Sequence, residues 1–118
     1  MGTFSCALRL TSMDGEQTME LDALVDTGAF YTQVPARMLE QIGVRRTGSV
    51  ALRLADGRIV RHDIGRAWAS VNGEHEVTRV VFGGDEAPVL LGAYTLEGLS
   101  LAVDPVTQRL LPVEVHPT

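Results

Sequence analysis

The chain has one cysteine, Cys6, and no lysine among its 118 residues. A single thiol forbids an intrachain disulfide, so nothing requires an oxidising compartment, and Cys6 reads as a strand residue. Without lysine there can be no glycine-rich phosphate loop ending in Lys, and no Gly-x-Ser-x-Gly elbow is present. His62, His75 and His116 stand apart from one another and from Cys6. They lack the spacing of metal ligands and read as surface residues, so neither a metal nor an organic cofactor is expected. No apolar run is long enough to span a bilayer, and no membrane partner is expected. The residues from Met1 to Arg9 have no basic start followed by a long apolar stretch, so no signal peptide is expected and the default location is cytoplasmic. The net charge is −5, and without a basic face a nucleic-acid partner is not expected either. All ten basic residues are Arg. We read that as lineage bias, of the kind a GC-rich bacterial genome imposes.

What remains, at 45% hydrophobic and 21% charged, is the composition of an ordinary folded domain. Residues 1–118 make one domain, large enough for a single core but small for two lobes.

The pattern along the chain is mainly β. Phe4 to Leu10 alternates as a half-buried strand, Met13-Asp14-Gly15-Glu16 is a hairpin turn, and Thr18 to Val25 returns. A short strand is expected over Phe30 to Val34. Pro35 then opens a helix through Ile42, with Gly43 at its end and Met38, Leu39 and Ile42 on one apolar face. From Ser49 the alternation of Val50, Leu52 and Leu54 runs to a second hairpin signal at Asp56-Gly57. Arg58 to Asp63 returns, and Ile64 to Val71 is expected as a further strand. Asn72-Gly73 is a third turn, Glu76 to Phe82 the strand after it, and Gly83-Gly84-Asp85 a closing loop. Ala93 to Glu97 reads as a short helix stopped by Gly98, followed by strands over Leu99 to Val103 and Arg109 to Val113 about a turn at Asp104-Pro105-Val106-Thr107. The last residues, Glu114 to Thr118, are expected to fray. Short strands at this spacing with one or two short helices indicate a closed or sandwich-like β domain.

One stretch stands out for chemistry. Leu24-Val25-Asp26-Thr27-Gly28-Ala29 is an apolar strand that delivers a carboxylate to its end, where Thr27 and Gly28 can fold a tight loop. Asp-Thr-Gly is also plain turn chemistry, since Asp bonds its own backbone and Gly accepts positive φ. A second element adds weight: in Pro88-Val89-Leu90-Leu91-Gly92-Ala93 an apolar run meets a glycine and then a helix-like segment.

Together with the intervening Leu54-Ala55-Asp56-Gly57-Arg58-Ile59, these elements resemble the single-domain, retropepsin-like aspartic peptidases, the retroviral type. The likeness runs from about residue 7 to residue 113. It implies a closed, barrel-like acid-protease half-fold with one or two short helices. Because the chain has one Asp-Thr-Gly and no second copy, it also implies a homodimer with Asp26 of each subunit at the two-fold axis. The hairpin near the carboxyl end, or the first strand, would then add to the interface.

In such enzymes two carboxylates about 3 Å apart cannot both ionise, so the pair holds one proton. The charged member takes a proton from a water that attacks a peptide carbonyl, and the protonated member donates to the developing oxygen. Activity would be greatest from mildly acidic to near-neutral pH. The resemblance gives Thr27 a hydroxyl bond across the dimer and Gly28 a backbone donor to the carboxylate. A turn hydroxyl bonding its own loop is the alternative for Thr27, and the motif favours the role across the dimer. Leu90, Leu91 and Gly92 would pack beside the loop, and Ala55, Asp56, Gly57 and Arg58 would form a flap tip over an extended peptide. A plain surface hairpin is the alternative for the last four.

Two departures bear on specificity. Viral members often carry acidic residues after Asp-Thr-Gly-Ala where this chain has Phe30-Tyr31, and many carry Arg where it has Ala93. Phe30 is open to two readings, a wall of an apolar subsite or a core residue. The expected function is an aspartic endopeptidase; the alternative is a dimerising or peptide-binding module that keeps the fold without turnover.

Overall fold

Alternation in the first hairpin sets the core. In the computed structural model, which describes residues 4–114, strands β1 (Phe4–Thr11) and β2 (Thr18–Val25) pair antiparallel from Phe4↔Val25 to Thr11↔Thr18. Leu8 and Leu10 of β1 and Leu21, Ala23 and Val25 of β2 point inward. Gly15 takes a φ of +76° in the connecting turn, where the Asp14 carboxylate accepts the Ser12 hydroxyl and the Glu16 N–H. The readings made on Met1, Gly2 and Thr3 and on Val115 to Thr118, His116 among them, lie outside the described residues.

Strand β3 (Thr32–Pro35) leads directly into helix α1 (Ala36–Gln41), with Pro35 at the N-cap. Gly43, at a φ of +78°, ends that helix by donating to the Glu40 carbonyl. Leu39 and Ile42 are buried and Met38 packs against the core, as their spacing predicts. Strand β4 (Arg46–Arg53) and the long β5 (Ile59–Val71) form the next hairpin, with the Asp56-Gly57 turn at its end. The Asn72-Gly73 turn, with both residues at positive φ, connects β5 to β6 (Glu74–Gly83). After β7 (Leu90–Leu91) come helix α2 (Ala93–Gly98) and a separate hairpin of β8 (Leu101–Asp104) and β9 (Arg109–Pro112).

Strand order in the main sheet is β1-β2-β7-β3-β6-β5-β4, and a further pairing of β1 with β5 closes six of these strands into a circuit. Closure leaves few free edges and a single interior, where Val34, Val80 and Leu91 are fully or almost fully buried. The mainly β class with two short helices is the one the sequence predicts.

Several boundaries differ from expectation, among them the start of the strand expected over Leu99 to Val103, which is Leu101. Ile59–Val71 is one strand, not two, because Gly65 lets β5 run on beneath a crossing chain. A Cβ there would lie 2.3 Å from the Arg45 carbonyl oxygen. Strand β4 begins at Arg46 rather than Ser49, with a register shift between Arg46 and Gly48. Gly98 belongs to α2, and the left-handed residue past that helix is Ser100, at a φ of +56°.

Candidate active site

The Asp26 loop is held by backbone bonds on both sides. Strand β2 runs parallel to β7, Leu24 donates to the Val89 carbonyl at 2.9 Å, and Asp26 donates to that of Leu91 at 3.1 Å. The chain then turns: the Asp26 carboxylate accepts the Gly28 N–H at 2.9 Å, and its carbonyl accepts the Ala29 N–H at 3.1 Å. A Cβ on Gly28 would stand 3.1 Å from that same carboxylate oxygen. Asp26 is half-buried, whereas Thr27 and Gly28 are exposed. An aspartate thus stands at a strand end with one oxygen fixed by a backbone donor.

The Leu-Leu-Gly element lies beside this loop and fixes its far end. Ala93 and Tyr94 donate their N–H groups to the Ala29 and Phe30 carbonyls at 2.9 and 2.8 Å. Gly92 is what permits the approach, since a Cβ there would sit 2.6 Å from the Tyr31 carbonyl. Leu91 is fully buried and Leu90 half-buried.

Beneath the crossing is a buried hydroxyl chain that sequence reasoning missed. The Thr32 hydroxyl accepts the Gly92 N–H at 3.1 Å and bonds the Thr95 hydroxyl at 2.6 Å, which in turn bonds that of Thr78 at 2.8 Å. It ties β3, α2 and β6 together. Nothing local marks it, because the three threonines meet only through tertiary structure.

The stretch expected as a strand from Phe30 is a loop until Thr32, because Phe30 and Tyr31 are engaged with the start of α2 instead. Phe30 is 54% exposed and is therefore not core. Its ring meets Tyr31 edge-on at 4.8 Å and Tyr94 at 5.7 Å. Facing these residues across a cavity of about 400 Å³ is the end of β4, with Leu52 and Leu54. The β4–β5 hairpin therefore shares this cavity with Gly28, Ala29 and Phe30 of the loop that follows Asp26.

Ala55, Asp56, Gly57 and Arg58 form the hairpin's turn, and all four are exposed. Asp56 accepts both the backbone N–H and the guanidinium of Arg58, and these hold its carboxyl below the usual aspartate range. At the hairpin's base Arg46 pairs with Glu40 of α1 and Asp63 of β5 at 2.8 Å each and lies 4.3 Å over the Phe82 ring.

A carboxylate on a Gly-bonded loop that is crossed by a Leu-Leu-Gly strand and shares a cavity with a hairpin is the arrangement that the sequence resemblance implies. A family model described as aspartyl protease matches residues 11–95, most of the chain. The chain belongs to the aspartyl protease family. A solved structure agrees at the level of fold. The solution structure of simian foamy virus (mac) protease matches with a TM-score of 0.56 at 19% identity, over 80% of this chain and 92% of that one. A search of curated proteins finds no match. The matched 85 residues of this aspartyl protease domain take in both the Asp26 loop and Gly92.

Thr27 is not part of that cavity's lining. It lines a second, mostly apolar groove with Ala93, Leu96 and Glu97 of α2 and Ala102, Val103 and Pro105 of the β8–β9 hairpin. Among the described residues no three His, Cys, Asp or Glu side chains converge as metal ligands would, and no helix is long and apolar enough to cross a membrane.

Proposed function

We propose that the protein is an aspartic endopeptidase that cleaves extended peptide segments as a homodimer, with Asp26 of each subunit activating the attacking water. The observation that carries this reading is the Asp26 carboxylate, half-exposed on a loop that its own Gly28 N–H and the Leu91 carbonyl hold in place. The chain supplies one such loop, and the chemistry needs two carboxylates that share a proton. A second copy related by a two-fold axis is the simplest source.

In that dimer one carboxylate deprotonates the water and the other protonates the carbonyl oxygen, so the proton pair is regenerated at each turnover. Activity accordingly peaks while the pair holds a single proton and falls when both carboxylates ionise. The Thr27 hydroxyl reaches the partner's loop across the axis, and the β8–β9 hairpin, which shares a groove with Thr27, adds to the interface. The 55–58 turn is the flap tip: hairpin closure excludes water and fixes the scissile bond against Asp26.

Phe30, Tyr31 and Ala93 favour a second reading. They stand where related viral enzymes carry charged residues, so a peptide-binding module that does not turn over is the alternative. Cleavage of a diverse peptide pool, read by mass spectrometry from mildly acidic to neutral pH, separates the two. Products from the native dimer that vanish in Asp26→Asn support the peptidase. No cleavage from a dimer confirmed by sedimentation leaves the binding module.

A further inference from the structure

Arg66 of β5 and Arg79 of β6 are directly opposed cross-strand partners on the outer face of the sheet. Like charges so placed weaken a sheet unless something offsets them. Arg45, between α1 and β4, lines a cavity of about 340 Å³ together with Arg66. Among the described residues these three guanidiniums make no hydrogen bond or ion pair, whereas Arg9, Arg46 and Arg58 each pair with a carboxylate. Asp14, the one carboxylate of the lining, is engaged by the Ser12 hydroxyl and the Glu16 N–H; these hold its carboxyl below the usual aspartate range, with a lesser pull from Arg45. Exposed Met13 and buried Val44 give the cavity an apolar wall. The next cross-strand pair along the same outer face is Trp68 and Val77, both half-buried, and Trp68 is the chain's only tryptophan. Met13 belongs to the turn at the opposite end of β2 from Asp26, about 25 Å away along eight residues of strand.

We propose that this face is a docking site, separate from the Asp26 loop, for an acidic segment of a partner polypeptide with apolar side chains among its carboxylates. Arg45, Arg66 and Arg79 pair with the carboxylates, which relieves the opposed charges of β5 and β6. An apolar side chain of the segment seats in the cavity against Met13 and Val44. Arg, Trp and Met are residues that protein interfaces concentrate. Charge selects the occupant. The whole chain carries −5, so nucleic acid would be repelled by most of the surface and would need a longer basic stripe than three side chains. An anionic bilayer calls for about four to eight clustered basic residues. Docking here does not require catalysis at Asp26.

The test follows a labelled peptide of alternating Glu and Leu by fluorescence anisotropy, on the full chain carrying Asp26→Asn so that no probe is cut. Emission from Trp68 is read in parallel to locate the contact. The comparison probes are the same peptide with Lys for Glu, a single-stranded DNA oligonucleotide and phosphatidylserine vesicles. The Glu peptide is expected to bind and shift the Trp68 emission, and the Lys peptide to do neither. Arg66→Gln and Arg79→Gln should each weaken binding by about five-fold. Both should keep at least the parent chain's stability in urea, because each removes a repulsion. Arg109→Gln, on the separate β8–β9 hairpin, removes the same charge and should leave binding unchanged. No binding of the Glu peptide overturns the docking site, as does binding that is equal in the parent chain, Arg66→Gln and Arg79→Gln. Preferential binding of the oligonucleotide or the vesicles overturns an acidic polypeptide as the occupant.

Discussion

Gly92 carries more of the site's geometry than its size suggests. Its N–H anchors the Thr32 hydroxyl, and its missing side chain lets β7 and α2 pass against the Tyr31 backbone. Gly92→Ala would force backbone apart rather than a flexible side chain, so we expect a loss of about 3 kcal/mol, the upper end for overpacking, in urea unfolding. Thr95→Val removes the central hydroxyl of the buried chain and leaves Thr32 and Thr78 short of a partner. A loss of about 1–2 kcal/mol is expected in the same measurement. Gly28→Ala is a different case, because the crowded atom is the Asp26 carboxylate oxygen on a surface loop. Stability should change little while peptide cleavage falls, and equal losses of both would contradict the role given to that oxygen. The importance of Gly28 was legible from the tripeptide itself. The threonine chain was not, since residues 32, 78 and 95 become neighbours only when β3, β6 and α2 meet.

Among the elements, the β4–β5 hairpin couples local charge to the candidate site. At its turn the Asp56 carboxyl is depressed first by the Arg58 N–H and then by the Arg58 guanidinium. A depressed folded value means that the ordering is present above the ordinary aspartate range and is lost as pH falls through the lowered value. Amide exchange at Gly57 and Arg58, followed by NMR, should therefore stay slow from neutral pH to the ordinary aspartate range. It should quicken only below that range, and exchange that quickens nearer neutrality would count against this account. At the base, Arg46 joins α1, β5 and the Phe82 ring. Solvent screening of these exposed pairs keeps the effect of Arg46→Met on global stability small. Exchange along β4 is where the change should appear. Sequence alternation marked this hairpin and its Asp-Gly turn, whereas the uninterrupted length of β5 depends on Gly65 passing beneath Arg45.

For the whole molecule the question is what completes the site. The groove beside Thr27 is mostly apolar, with Glu97 as its one charged residue, and it runs onto a two-stranded β8–β9 hairpin outside the main sheet. A two-stranded ribbon gains from packing or from further strands, and a second copy brought to Thr27 by a two-fold axis would provide both. Ala102 is exposed within this groove, so Ala102→Glu leaves the core untouched and places like charges near the axis. Sedimentation should then show monomer at concentrations where the native chain is dimeric, and cleavage should fall in parallel. A dimer that survives Ala102→Glu with cleavage unchanged would move the interface elsewhere.

By itself the sequence determined the β class, the three Asp-Gly and Asn-Gly turns, helix α1 and the loop that carries Asp26. Each of these rests on short-range physics: two-residue alternation, positive φ at glycine and asparagine, and proline at a helix start. Only the tertiary structure decided that β1 closes on β5, that three distant threonines share hydrogen bonds, and that Phe30 faces a cavity instead of the core. The physical reason is that these depend on which elements lie side by side once the circuit closes. Local pattern sets a residue's conformation, while its neighbours are set by the packing of the whole chain.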